Sequence, residues 1–261
     1  MTEGFSTDSA RVVALTQEVF WVAESFALAP ERHEHVAVYL LRSAVGWIVI
    51  DSGSFHHRHT ILEAIQEVTG GDGVRALILS HSDYPHSGNI GALRQRWGDF
   101  EIVASCGDPG IQGLPYATRV HIGGREAVLG RPIRFLDPPL ADRSHTSWIY
   151  DELSRVLFVA DGFGSYHRPE HRTRTSRDFA EGISEEAIER FHTDAVSWLR
   201  FVDPGKLMST LRHLFEKNPI EWVAPIHGHP IAGQDLPEYL WRLERGVRRI
   251  VERDRARGAP I

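Results

Sequence analysis

Two imidazoles and a carboxylate crowd into Ser80-His81-Ser82-Asp83-Tyr84-Pro85-His86-Ser87-Gly88-Asn89. Histidine and aspartate at this spacing are metal donors, provided a rigid element brings them to one point. That element is legible in Val74, Ala76, Leu77, Ile78 and Leu79, a short apolar run that reads as a strand buried on both faces. Two later apolar runs also stop in candidate ligands: residues 155–160 before Asp161, and 221–224 before His227. Asp142 and His145 precede a hairpin over 146–160. Each has an ordinary alternative, a turn-capping aspartate or a packed histidine, but their shared placement at strand ends points to metal. Fifteen histidines in 261 residues point the same way.

The rest of the chain must position those strand ends. Hydrophobic content of 42% and charged content of 25% suit a globular protein of ordinary core size. A net charge of −6 gives no reason to expect nucleic acid or an anionic membrane as partner. A lone cysteine, Cys106, excludes an internal disulfide and any cysteine-rich metal site. The N-terminal residues lack a signal-peptide pattern and no window reaches the length of a membrane span, so a cytoplasmic protein is expected. Strands are read at 11–15, 19–22, 35–41 and 46–51, then a helix at 59–68 with Ile61, Leu62, Ile65 and Val68 on one face. A helix at 90–97 and short strands at 100–104, 118–122 and 132–136 follow. Residues 106–116 read as loop and 167–178 as a charged flap. Helices at 184–201 and 206–217 lead to a closing helix striped by Leu236, Leu240, Leu243, Val247 and Ile250. Without repeats or linkers, residues 1–261 read as one domain. His33 and His35 are expected at the surface, and His56, His57 and His59 in a solvated loop. Asp51 is read as a hydrogen-bonding buttress, and Trp148, Trp198, Trp222 and Trp241 as core.

The three strand-end motifs resemble the metallo-β-lactamase superfamily, and within it the lactamase-like domain of flavodiiron proteins. His81-Ser82-Asp83-Tyr84-Pro85-His86-Ser87-Gly88 keeps both end histidines, the acid at the third position and the trailing Ser-Gly of that family's His-x-Glu-x-Asp-His-Ser-Gly. Leu157-Phe158-Val159-Ala160-Asp161-Gly162-Phe163-Gly164 is similar to its Leu-Phe-x-x-Asp-Ala-Phe-Gly, and Ala224-Pro225-Ile226-His227-Gly228 to its Ala-Pro-Ser-His-Gly. The resemblance runs over about residues 35–245 and implies an α/β fold, a four-layer αββα metallo-β-lactamase-like sandwich. It implies two irons bridged by Asp161. The first would take His81, Asp83 and either Asp142 or His145; the second would take His86 and His227. The family's spacing back from Asp161 lands on Asp142, while ligand chemistry favours His145, and both stay open.

The departures carry information. Pro85 stands where the family has an aspartate for the second metal, so that ion is expected to bind more weakly; His229 is a candidate to fill the gap or to act in catalysis, as is Tyr84 beside the ligands. Asp83 hardens the first site toward iron or manganese, with zinc the alternative. The flavodoxin domain that follows in the family has no counterpart in these residues, so the resemblance implies a separate electron-donor protein. A homodimer is left open. The expected function is a non-haem diiron oxidoreductase that binds or reduces O2 or NO, or uses O2 to oxidise a small molecule. The alternatives are a metallohydrolase of a small ester, lactone or thioester, and a non-catalytic gas sensor. Hydrolysis ranks lower because hydrolases of this fold use the aspartate replaced by Pro85 to orient water.

Overall fold

The computed structural model describes residues 11–104, 116–143, 145–256 and 258, which leaves Cys106 outside. Its strands in chain order are β1 (Val12–Ala14), β2 (Val19–Val22), β3 (Ser25–Ala29), β4 (Arg32–His35), β5 (Val38–Ser43), β6 (Gly46–Ile50), β7 (Val74–Leu79), β8 (Glu101–Ala104) and β9 (Thr118–Arg119). Then come β10 (Arg125–Val128), β11 (Arg131–Leu136), β12 (Trp148–Asp151), β13 (Val156–Phe158), β14 (Trp222–Ala224) and β15 (Ile231–Ala232). The helices are α1 (Arg58–Thr69), α2 (Tyr84–Ser87), α3 (Ile90–Trp97), α4 (Glu185–Ala195), α5 (Pro204–Lys217) and α6 (Leu236–Ala256). One sheet has the order β1-β2-β5-β6-β7-β8-β9, the other β10-β11-β12-β13-β14-β15, and β3-β4 is a separate hairpin.

Strand alternation builds the layers. Side chains one residue apart face opposite ways. Tyr39, Ile50, Ile78, Ile149, Phe158 and Ala224 therefore meet between the two sheets. Their neighbours Leu40, Val49, Leu77 and Leu79 face outward against Ile61, Ile65 and Leu93 of α1 and α3. On the other flank Trp148, Leu157 and Val223 pack against Ile188, Leu211, Leu240 and Val247 of α4, α5 and α6. Both sheets are thus buried on two faces, which makes the four-layer αββα sandwich. Among the described residues no helix is long and apolar enough to cross a membrane.

The parallel pairs fix where chemistry can occur. β6 runs parallel to β7 in one sheet, and β13 parallel to β14 in the other. Parallel neighbours end together, so Asp51 and His81 emerge side by side from one sheet, and Asp161 and His227 from the other. Asp51 (φ 55°) and Ala160 (φ 48°) sit in the left-handed region at these ends. Such a conformation is unfavourable outside glycine and persists where surrounding contacts impose it.

Several features differ from the sequence reading. The hairpin β3–β4 and the strands β10 and β15 are additional; β3 and β4 lack a clean apolar alternation, and β15 is only two residues long. Residues 84–87 form the single turn α2, with Pro85 in its first turn, where a missing N–H leaves nothing unpaired. The helix read over 184–201 breaks after Ala195 and resumes as a 3-10 segment, Ser197–Phe201. Trp241 is 52% exposed, one position off the buried stripe of α6, with Arg245 over its ring.

Candidate metal centre

Asp161 is the hub. It is buried at the end of the chain leaving β13, and one oxygen, Oδ1, meets His86 Nε2 at 2.9 Å and His227 Nε2 at 3.1 Å. Its other oxygen, Oδ2, lies 3.6 Å from His81 Nε2. His81, His86 and Asp161 offer ligand atoms all within 4.8 Å of one another, and so do His81, Asp83 and Asp142. His81 belongs to both sets. Six of the seven sequence candidates thus sort into a buried half (His86, Asp161, His227) and an outer half (Asp83, Asp142), with His81 between them; the seventh, His145, falls outside both.

Buried partners set the rings of the inner half. His86 Nδ1 donates to Asp51 Oδ2 at 2.8 Å, and Asp51 also accepts from Ser80 Oγ at 2.7 Å and from the Ser80 backbone N–H at 2.8 Å. His227 Nδ1 donates to the His35 carbonyl at 2.7 Å and lies 3.1 Å from Glu34 Oε1. A carboxylate or carbonyl on the far nitrogen of an imidazole fixes the ring's tautomer and aim, the usual support of a ligating histidine. Close backbone approaches hold the loops. A Cβ on Gly228 would stand 3.0 Å from Phe163 O and Ser165 N, so only glycine lets the His227 and Asp161 loops pass this closely. Asn89 clamps the other side, its Nδ2 donating to the carbonyls of Ser52 and Ser54, each at 2.9 Å.

Charge at the cluster is uneven. Burial opposes a charged His86, but the Asp161 and Asp51 carboxylates outweigh it and raise its pKa to about 9. His227, equally buried, is raised to about 10 by Asp161 and Glu34. The same two imidazoles overcome the burial penalty on Asp161 and hold its carboxyl well below the usual range. His81 goes the other way: burial, then the charge of His86, lowers it to about 4, and its buried Nε2 has no hydrogen-bond partner. Asp142 is pushed up to about 7 by burial and by neighbouring Asp161. Adjacent carboxylates that resist joint ionisation, facing an unpartnered imidazole nitrogen, make a donor set that fits a bound cation.

The remaining candidates fall elsewhere. His145 is partly buried with its ring centroid 6.2 Å from that of His81, outside both ligand groups, whereas Asp142 is inside one. His229 turns away from the cluster: Nδ1 donates to the Arg174 carbonyl at 2.7 Å, and the ring packs among His35, His167 and Phe179. Tyr84 is 48% exposed, its ring edge-on to His56. His35, expected at the surface, is fully buried and stacks on His167 at 3.8 Å. Sequence reasoning missed Glu34 and Arg143. The alternation His33-Glu34-His35 carried a weak strand signal for the first. Nothing local marked Arg143, whose guanidinium meets Asp83 from sixty residues further along the chain (Nε to Oδ2, 2.9 Å).

Comparison with known proteins places this geometry. The family model described as ODP family beta lactamase matches residues 35–228. A diflavin flavoprotein A 2 of Nostoc sp. is 25% identical over 199 residues, covering 73% of this chain and 32% of that protein. The coenzyme F420H2 oxidase of Methanocaldococcus jannaschii is 24% identical over 166 residues, 59% of this chain and 39% of its own length. The flavodiiron protein of Giardia intestinalis has the same fold, with a TM-score of 0.71 at 14% identity over 90% of this chain and 59% of that one. The chain therefore spans well under two thirds of each of these relatives.

Proposed function

Because the chain belongs to the ODP family beta lactamases, we propose that it is a metal-dependent redox protein, with non-haem iron at the centre around Asp161. It would bind or reduce O2 or NO, or use O2 to oxidise a small molecule. The observation that carries this reading is the buried cluster in which one oxygen of Asp161 faces both His86 and His227 while the other faces His81. A carboxylate placed in this way can serve two ions at once. Support also comes from relatives named as a flavodiiron protein and as an oxidase.

Iron, when bound, supplies one-electron chemistry and open positions for a diatomic gas. The inner ion would be held by His86, Asp161 and His227, and the outer by His81, Asp83, Asp142 and Asp161; zinc or manganese in the same donors is the alternative filling. Asp51 and Glu34 aim the two inner imidazoles. Pro85 contributes no carboxylate, so nothing at that position holds an attacking water, which weighs against hydrolysis. Residues 1–261 act as one domain in the cytoplasm, and a separate protein delivers electrons. His229, held on the Arg174 carbonyl and outside both ligand groups, does not replace the lost ligand, and Tyr84 contacts His56.

The test is anaerobic purification followed by elemental analysis and O2 addition under absorption spectroscopy. Iron with an absorption band that cycles on repeated reduction and O2 addition is the expected result. A persistent band without turnover would mark a gas sensor instead. Stoichiometric zinc with hydrolysis of a lactone or thioester would overturn the redox reading.

A further inference from the structure

The outer half of the centre already holds a cation of the protein's own. Arg143 places Nε and Nη2 each 2.9 Å from Asp83 Oδ2, and Nε 3.3 Å from Asp142 Oδ2. Among the described residues, Arg143 is the one arginine or lysine paired with any of Asp51, Asp83, Asp142 and Asp161. Its side chain is 55% exposed, that of Asp83 35%, and that of Asp142 12%, so the guanidinium closes the solvent side of the outer half.

We propose that Arg143 is a built-in competitor for the outer metal, an internal counter-cation that must leave Asp83 and Asp142 before an ion can take them. The proposal rests on the metal-binding reading above, but on neither iron nor redox chemistry. A guanidinium fork and a divalent ion use the same carboxylate lone pairs, and two cations a few ångströms apart repel each other. Among the described residues no arginine or lysine is paired with Asp161 in the inner half, and both of its imidazoles are buried with a further contact that holds their aim. Loading is therefore sequential: the inner half fills first and tightly, the outer half second and exchangeably. This reverses the order that the proline at position 85 suggests when the loop is read alone. Once displaced, the half-exposed guanidinium swings into solvent without a buried cost.

Calorimetric titration of metal-free protein with Mn2+ tests this without any assay of activity. Wild type is expected to show one tight step and one weaker step. In Arg143→Ala and Arg143→Gln the weaker step should tighten about tenfold, the scale of losing a half-exposed two-carboxylate pair, with the tight step unchanged. Arg143→Lys, which keeps the charge but not the fork, should fall between. An unchanged or weakened second step in the Ala and Gln variants would overturn the proposal, because an arginine that merely positions the carboxylates would hinder binding when lost. Two equally tight steps in wild type would also overturn it. No Mn2+ binding at all, in wild type or variants, would sink the metal-binding reading itself.

Discussion

The two halves of the centre are built from the same residue types but on different supports. Asp161 and His227 stand just beyond the ends of parallel strands and His86 on the short helix α2; all three are buried, and both imidazoles have a second contact that fixes their aim. Asp83 and Asp142 sit on loops, partly exposed, and share Arg143, with Thr146 Oγ1 also donating to Asp142. Burial and these second contacts fix the first group before any ion arrives, whereas the second group stays adjustable. A rigid first group beside an adjustable second one is what the proposed firm inner ion and exchangeable outer one would need.

The most direct way to break this contrast is to remove an inner ligand. His227→Ala should weaken the tight ion more than about 100-fold, beyond the usual effect of a supporting residue, and dialysed protein should lose its metal by elemental analysis. Retention of the ion would mean that the tight position lies in the outer half. A smaller effect is expected from Asp51→Asn, which leaves every ligand in place. An amide can still accept from Ser80 but no longer balances an imidazole N–H as a charge, so affinity should fall about 10- to 100-fold. Calorimetry on the same metal would show it. Glu34→Gln should cost about tenfold or less, because His227 keeps its bond to the His35 carbonyl. Equal losses for Asp51→Asn and Glu34→Gln would show that the two rings are not supported as differently as their contacts indicate.

The inner half was legible in the sequence for a physical reason. A buried strand is a continuous apolar run, and a polar residue that ends one abruptly is conspicuous; His81, Asp161 and His227 all do so. The layered fold was legible for the same reason, and α6 showed its stripe directly. The choice between Asp142 and His145 was not, since it depends on loop geometry that no periodicity records. Glu34 and Arg143 act across gaps of 193 and 60 residues, and local pattern carries no trace of such pairing. His35 misled because its polar neighbours suggested a surface, while the covering residues His167 and His229 come from the far end of the chain. Trp241 misled by size alone: it follows Leu240 by one residue, about 100° round the helix from the buried stripe.

A third kind of buried imidazole sharpens the comparison at the smallest scale. His192, on α4, is as buried as His86 and His227, but its only hydrogen-bond partner among the described residues is a neutral one, the Ile188 carbonyl, which accepts from Nδ1 at 2.8 Å. With no carboxylate to oppose burial, its pKa falls to about 4. The unfolded chain then takes up a proton near the ordinary value of about 6.5, whereas the folded chain does not. Acidification therefore favours unfolding: stability is full above the unfolded value and declines as the pH drops toward the folded one. Between pH 7 and 5.5 this group should cost about 1 kcal/mol. Denaturant unfolding of wild type and His192→Leu at the two pH values isolates it, because the other buried histidines are common to both proteins. Wild type should lose more stability than the variant on acidification; parallel losses would mean that His192 already carries a proton inside the fold, and that burial without a carboxylate is not what separates it from the inner ligands.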